Sequence, residues 1–90
     1  MIDEDFSVRD YGTAAILELQ GMGMADIHFL DERQAVFRFK NKKKCYAIES
    51  DYEHGMLMVN AKAHFEQLRS IKWRLQTARE AFVNEQRRNG

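Results

Sequence analysis

Four side chains in this chain of 90 residues have the chemistry of metal ligands: His28, Cys45, His54 and His64. No two of them stand four apart on one helical stretch, and there is no C-x-x-C pair. That spacing does not build a zinc-type site. Ser7, Ser50, Ser70 and Cys45 are the candidate nucleophiles, and none has a local signature that would couple it to a base. The carboxylates of Asp3-Glu4-Asp5 and Asp31-Glu32 read as solvated tips. Gly21-Met22-Gly23 follows a helical pattern instead of opening one, so it is a connection and not a phosphate loop. The expectation is a chain with no catalytic residue, no metal and no cofactor.

The cations are more informative. Lys40, Lys42, Lys43 and Lys44 form a dense cluster where phosphate contacts are easily made. Further along stand Arg69, Lys72, Trp73, Arg74, Arg79, Arg87 and Arg88, on a stretch with helical spacing. Trp73 lies two residues from both Ile71 and Leu75, about 200° around a helix from each, and so is off the apolar stripe. An aromatic between Lys72 and Arg74 can stack on a base, anchor a protein contact or pack on a second layer of the same domain. The candidate partner-binding or nucleic-acid-binding residues are therefore Lys40, Lys42, Lys43, Lys44, Trp73, Arg74, Arg79, Arg87 and Arg88.

Composition sets the frame for these groups. The chain is 44% hydrophobic and 31% charged, with six Phe, three Tyr and one Trp, enough to build a core in one small domain. Net charge is zero but unevenly placed. Residues 1–33 hold two bases against eight acids, and residues 34–90 hold twelve bases against six acids. The halves either pair with each other in the fold or leave the chain dipolar, able to bind an acidic partner on one side without being basic overall. A single Cys cannot form an internal disulfide, the acidic start is unlike a secretory signal, and no apolar run approaches a membrane span of about 20 residues. Those features suit a cytoplasmic protein.

The elements that must carry these residues follow from periodicity. A first helix is expected from about Val8 to Gln20, with Ser7 and Asp10 as a capping-box-like start and Gly21 as its stop. Gly12 within it suggests that another backbone comes close. A hairpin follows: Ile27 to Leu30, a polar turn at Asp31-Glu32-Arg33, then Ala35 to Lys40, whose Ala35, Phe37 and Phe39 should face the helices. Cys45 to His54 reads either way. As a helix it aligns Cys45, Ile48 and Tyr52; as a strand it avoids three lysines at a helix N-terminus. Met56 to Val59 should dock in the core. Asn60 is a good N-cap for a long helix to Arg88, with Ala61, Phe65, Leu68, Ile71, Leu75, Ala78 and Phe82 on one stripe. At about 42 Å it exceeds the width of the domain, so residues 76–90 are expected to project. Leu75, Ala78, Phe82 and Val83 would then form an oligomer interface, with a homodimer as the simplest product.

These positions together resemble a family of small bacterial and phage proteins grouped as a domain of unknown function. The matching pattern is the apolar helix from Asp10 to Gly21, the strand Val36-Phe37-Arg38-Phe39, the segment Tyr52-Glu53-His54-Gly55, and the helix start marked by Val59, Asn60, Phe65, Leu68, Ile71 and Lys72. The resemblance implies a helix for Lys43 to Glu53 and a phage or mobile-element context; it implies no activity. The chain departs from it at Lys42-Lys43-Lys44, where the family is usually acidic, and in continuing its helix past Trp73.

The fold expected is α+β: helix, β-hairpin, short helix, and a long C-terminal helix packed on one face of the hairpin. The function expected is that of a non-catalytic phage or mobile-element accessory protein that binds a protein partner, such as a host or defence factor. DNA or RNA binding through the basic loop and basic helix is the alternative.

Overall fold

A computed structural model describes residues 5–89. The order is β1 (Phe6–Val8), α1 (Tyr11–Leu19), β2 (Met24–Phe29), β3 (Ala35–Phe39), α2 (Lys42–Glu53) and α3 (Ala61–Asn89). The α+β architecture is as the periodicity indicates, with one added strand. The sheet is antiparallel with order β1-β3-β2, so β3 is central and carries both ladders.

The sequence pattern puts Ser7 at the cap and Val8 at the start of the first helix, but both lie in β1. Its Phe6 and Val8 are buried and Ser7 is exposed, the alternation of a half-buried strand. Three residues are too few for that period to stand out in a sequence. Phe6 pairs with Phe39 and Val8 with Phe37. The helix therefore begins at Tyr11, and its N-cap is Asp10, not Ser7: Asp10 Oδ2 accepts from the Thr13 amide at 2.8 Å and from the Thr13 hydroxyl at 3.0 Å. Such a cap stabilises by about 1 kcal/mol. Gly12 gives room to this cap and not to another backbone, since a Cβ there would come within 3.1 Å of Asp10 Oδ2. At the other end Gly21 takes a φ of 91°, and the Met22 amide returns to the Leu17 carbonyl at 2.9 Å. This is the left-handed stop that glycine permits.

β2 begins at Met24, three residues earlier than the sequence pattern indicates, with an irregularity between Met24 and Asp26. The turn to β3 is held by Asp31 Oδ1, which accepts from the Arg33 and Gln34 amides at 2.7 Å each. Phe37 and Phe39 are fully buried under the helices. The core they join contains Phe6, Val8, Ala14, Ala15, Leu17, Cys45, Ile71 and Leu75.

α2 forms despite its three N-terminal lysines. Asn41, in the left-handed region at φ 64°, accepts from the Lys44 amide at 3.2 Å, and Cys45 is completely buried. Cap and burial outweigh the unfavourable meeting of cations with the macrodipole, which is worth only about 0.3–1 kcal/mol at an exposed site. Met56 and Met58 do not dock in the core: they are 76% and 95% exposed, while Leu57 and Val59 are half-buried.

α3 has 29 residues, about 43 Å at 1.5 Å per residue, against a longest molecular extent of 47 Å. Asn60 Oδ1 caps it by accepting from the Ala63 amide at 2.9 Å. Its inward stripe runs through His64, Leu68, Ile71, Leu75, Ala78 and Phe82, all buried or half-buried. Phe65 is not on it. One position past His64, it stands about 100° round the helix and is 61% exposed. The packing reaches well into residues 76–90, because Phe82 stacks on Phe29 with ring centroids 4.9 Å apart.

Candidate functional site

The cations and the aromatic singled out by spacing fall into different environments. Lys40 donates to Asp5 Oδ1 at 2.8 Å, and that bond and charge raise its pKa. Lys42, Lys43 and Lys44 are exposed along the first turn of α2. Arg74 is turned inward. Its guanidinium bonds both carboxylate oxygens of Glu18, one at 3.0 Å, and Gln67 Nε2 adds a third bond at 2.7 Å. Burial pushes the Glu18 carboxyl up, but these bonds and the charge of Arg74 together hold it below the ordinary glutamate value. Arg74 is therefore a structural partner and not part of an open binding face. Arg79 is half-buried, with its Cζ 6.0 Å from the Phe29 ring centroid. Arg87 and Arg88 are exposed in the last turn of α3, where positive charge suits the helix dipole.

The residues expected to form an oligomer interface are also partly internal. Leu75 is 5% exposed and belongs to the core, Phe82 is covered by Phe29, and Ala78 and Val83 are half-buried. The sequence stripe is real, and β2 takes up part of it through Phe29 against Phe82.

Trp73 remains open. It lies on the side of α3 opposite the stripe and is 68% exposed. Phe65 stands eight residues earlier, about two turns below and some 80° round, with exposed Arg69 midway. Lys72, also exposed, places its Nζ 5.7 Å from the Tyr11 ring centroid. Tyr46 on α2, at 63%, and Leu30, Met56 and Met58 are further large apolar side chains left open.

Ion pairs at Asp5–Lys40, Glu18–Arg74 and Asp26–Arg38 bear on the uneven charge. Each joins the acidic first third to the basic remainder, so the halves do pair with each other. Glu18 escaped notice in the sequence, although it is the sole carboxylate in an otherwise apolar helix. A lone acid in such a setting demands a partner, and that was the available signal.

Cys45 is a free, buried thiol whose pKa burial raises, and its Sγ meets the Lys40 carbonyl at 3.4 Å. That is the setting of an inert core cysteine. Among the described residues no group of three or more His, Cys, Asp or Glu could hold a metal ion, and no helix is long and apolar enough to cross a membrane.

No curated protein and no solved structure matches the chain. A family does: its model covers residues 3–77, from before β1 into the middle of α3 and through the whole sheet and core. By that match the chain belongs to DUF5659, a domain of unknown function.

Proposed function

We propose that this chain is a non-catalytic accessory protein of the cytoplasm that acts by binding another protein on the outward face of α3. The observation that carries the reading is the exposure of Trp73 and Phe65 on one side of a helix whose opposite side is the core. Tryptophan is the residue most enriched among interface anchors, and large apolar side chains left open together mark interaction sites. Met58 nearby in the chain is 95% exposed and can adapt to an irregular surface. A protein partner is favoured over nucleic acid because Lys40 and Arg74, both candidate phosphate contacts, are already engaged by Asp5 and Glu18.

Capture of partners from lysate by the intact protein, with and without nuclease, tests this. A partner bound through the α3 face survives nuclease and falls by roughly tenfold or more with Trp73→Ala, the loss expected of an interface anchor. Full retention by Trp73→Ala rejects the proposed face. Nuclease-sensitive capture that drops roughly a thousandfold between about 50 and 200 mM salt would instead assign function to Lys42–Lys44 and the basic helix end.

A further inference from the structure

A cavity of about 220 Å³ opens between the start of α1, the β2–β3 turn and the middle of α3. Arg9, Arg33 and Arg79 line it, with Tyr11, Phe37 and Leu75 among the remaining walls. Among the described residues no carboxylate lines it. Three guanidinium groups brought to one concavity repel one another unless an anion lies between them. Elsewhere this fold meets its cations with carboxylates, as at Asp5–Lys40, Glu18–Arg74 and Asp26–Arg38. Glu32 and Glu80, beside Arg33 and Arg79 in the chain, are exposed and do not line the cavity, and two other nearby acids are turned to other work. Asp10 caps α1 through Thr13, and Asp31 accepts from the Arg33 and Gln34 amides. Among the described residues no ion pair engages Arg9, Arg33 or Arg79. Arg79 also keeps its Nε buried with no hydrogen-bond acceptor, a donor that normally finds a partner. Lys72, over the Tyr11 ring, adds a fourth cation beside the same wall.

We propose that this cavity binds a small phosphorylated molecule, with the phosphate held by the arginines and a short organic portion against Tyr11. A phosphate dianion offers three strong acceptor oxygens to guanidinium groups that each present several donors. A single carboxylate would leave most of the positive charge unbalanced. The volume lies below the roughly 300 Å³ at which drug-sized pockets begin, so the organic portion must be small. The site is separate from the Trp73 face and stands or falls apart from it. Arg79 lies beyond the family-matched residues 3–77, so the extension of α3 completes the cavity.

Titration of the full chain with inorganic phosphate and with glycerol 3-phosphate, followed by nitrogen–proton NMR in chloride buffer, tests the assignment. Saturable shifts at Tyr11, Arg33 and the Arg79 Nε–H signal are expected. Arg33→Glu, on an exposed turn whose backbone amide still reaches Asp31, should weaken both ligands by roughly tenfold or more, as should Arg79→Met. Lys43→Glu, on α2, should change neither affinity. Circular dichroism of each variant verifies that it is folded. Shifts that never saturate, affinities unchanged by Arg33→Glu, or tighter binding of succinate than of either phosphate would each overturn the proposal.

Discussion

Phe39→Ala should destabilise the protein by about 3–5 kcal/mol, the usual cost of emptying a fully buried phenylalanine site. Phe39 is completely buried, and it sits on the central strand, opposite Phe6 on one side and Met24 on the other. Neither neighbouring strand can close over the void without leaving its ladder. A 90-residue domain has only about 5–13 kcal/mol in hand, so the loss is a large part of the total. The melting temperature should fall by roughly 15–30 °C, measured by circular dichroism. Phe65→Ala is the matching control. The sequence pattern points both phenylalanines inward, Phe39 by strand alternation and Phe65 by the helical stripe, but Phe65 is 61% exposed and its loss should stay within about 0.5 kcal/mol. Equal losses would mean that α3 turns a different face to the core.

Glu18→Gln should destabilise by about 2 kcal/mol at neutral pH. The pair it breaks lies between a solvated ion pair, worth under about 1 kcal/mol, and a buried one, whose rupture costs about 3–5. The Glu18 and Arg74 side chains are 14% and 33% exposed. The sign of the pH dependence follows from the direction of the Glu18 shift. Its folded pKa is below the ordinary value of 4.5, so its stabilisation is complete above that value and is lost as pH falls through the lower, folded one. Denaturant unfolding at a series of pH values should therefore show wild type and Glu18→Gln well separated at pH 7 and converging below about pH 4. A constant gap down to pH 2.5 would show that the carboxylate's charge contributes nothing.

The parts of the fold legible in the sequence are those where a period repeats often enough to be counted. The alternation of Ala35, Phe37 and Phe39, the apolar run ending at Gly21 and the long stripe through Ile71 and Leu75 all qualify. β1 does not, because Phe6-Ser7-Val8 shows one and a half cycles and gains its partner only from β3, some thirty residues away. Phe65 misled for a related reason. A helical stripe has an angular width, and His64 and Phe65 compete for the same turn; the choice went to His64, whose ring meets Tyr52 edge-on at 6.4 Å. For the candidate surfaces, Trp73 was identifiable because it is out of phase with every apolar neighbour. Arg74 was not, since an arginine beside a tryptophan looks the same whether it reaches solvent or Glu18. The arginine-lined cavity was invisible for the same cause: Arg9, Arg33 and Arg79 are spread over seventy residues and meet only through the topology.

The placement of β1 bears on how the native state comes apart. The pairing of Phe6 with Phe39 closes a loop that encloses α1 and β2, whereas β2 and β3 are joined by a short turn. A three-residue edge held across so long a loop should open locally and often. Native-state hydrogen exchange should find the amides of 6–8 the least protected in the sheet, with 37 and 39 among the most. Each such opening bares one edge of β3 and turns the central strand, with Phe37 and Phe39 on it, into an unpaired template for another chain. The brief strand at the start of the chain is thus a guard against self-association as well as a piece of the core.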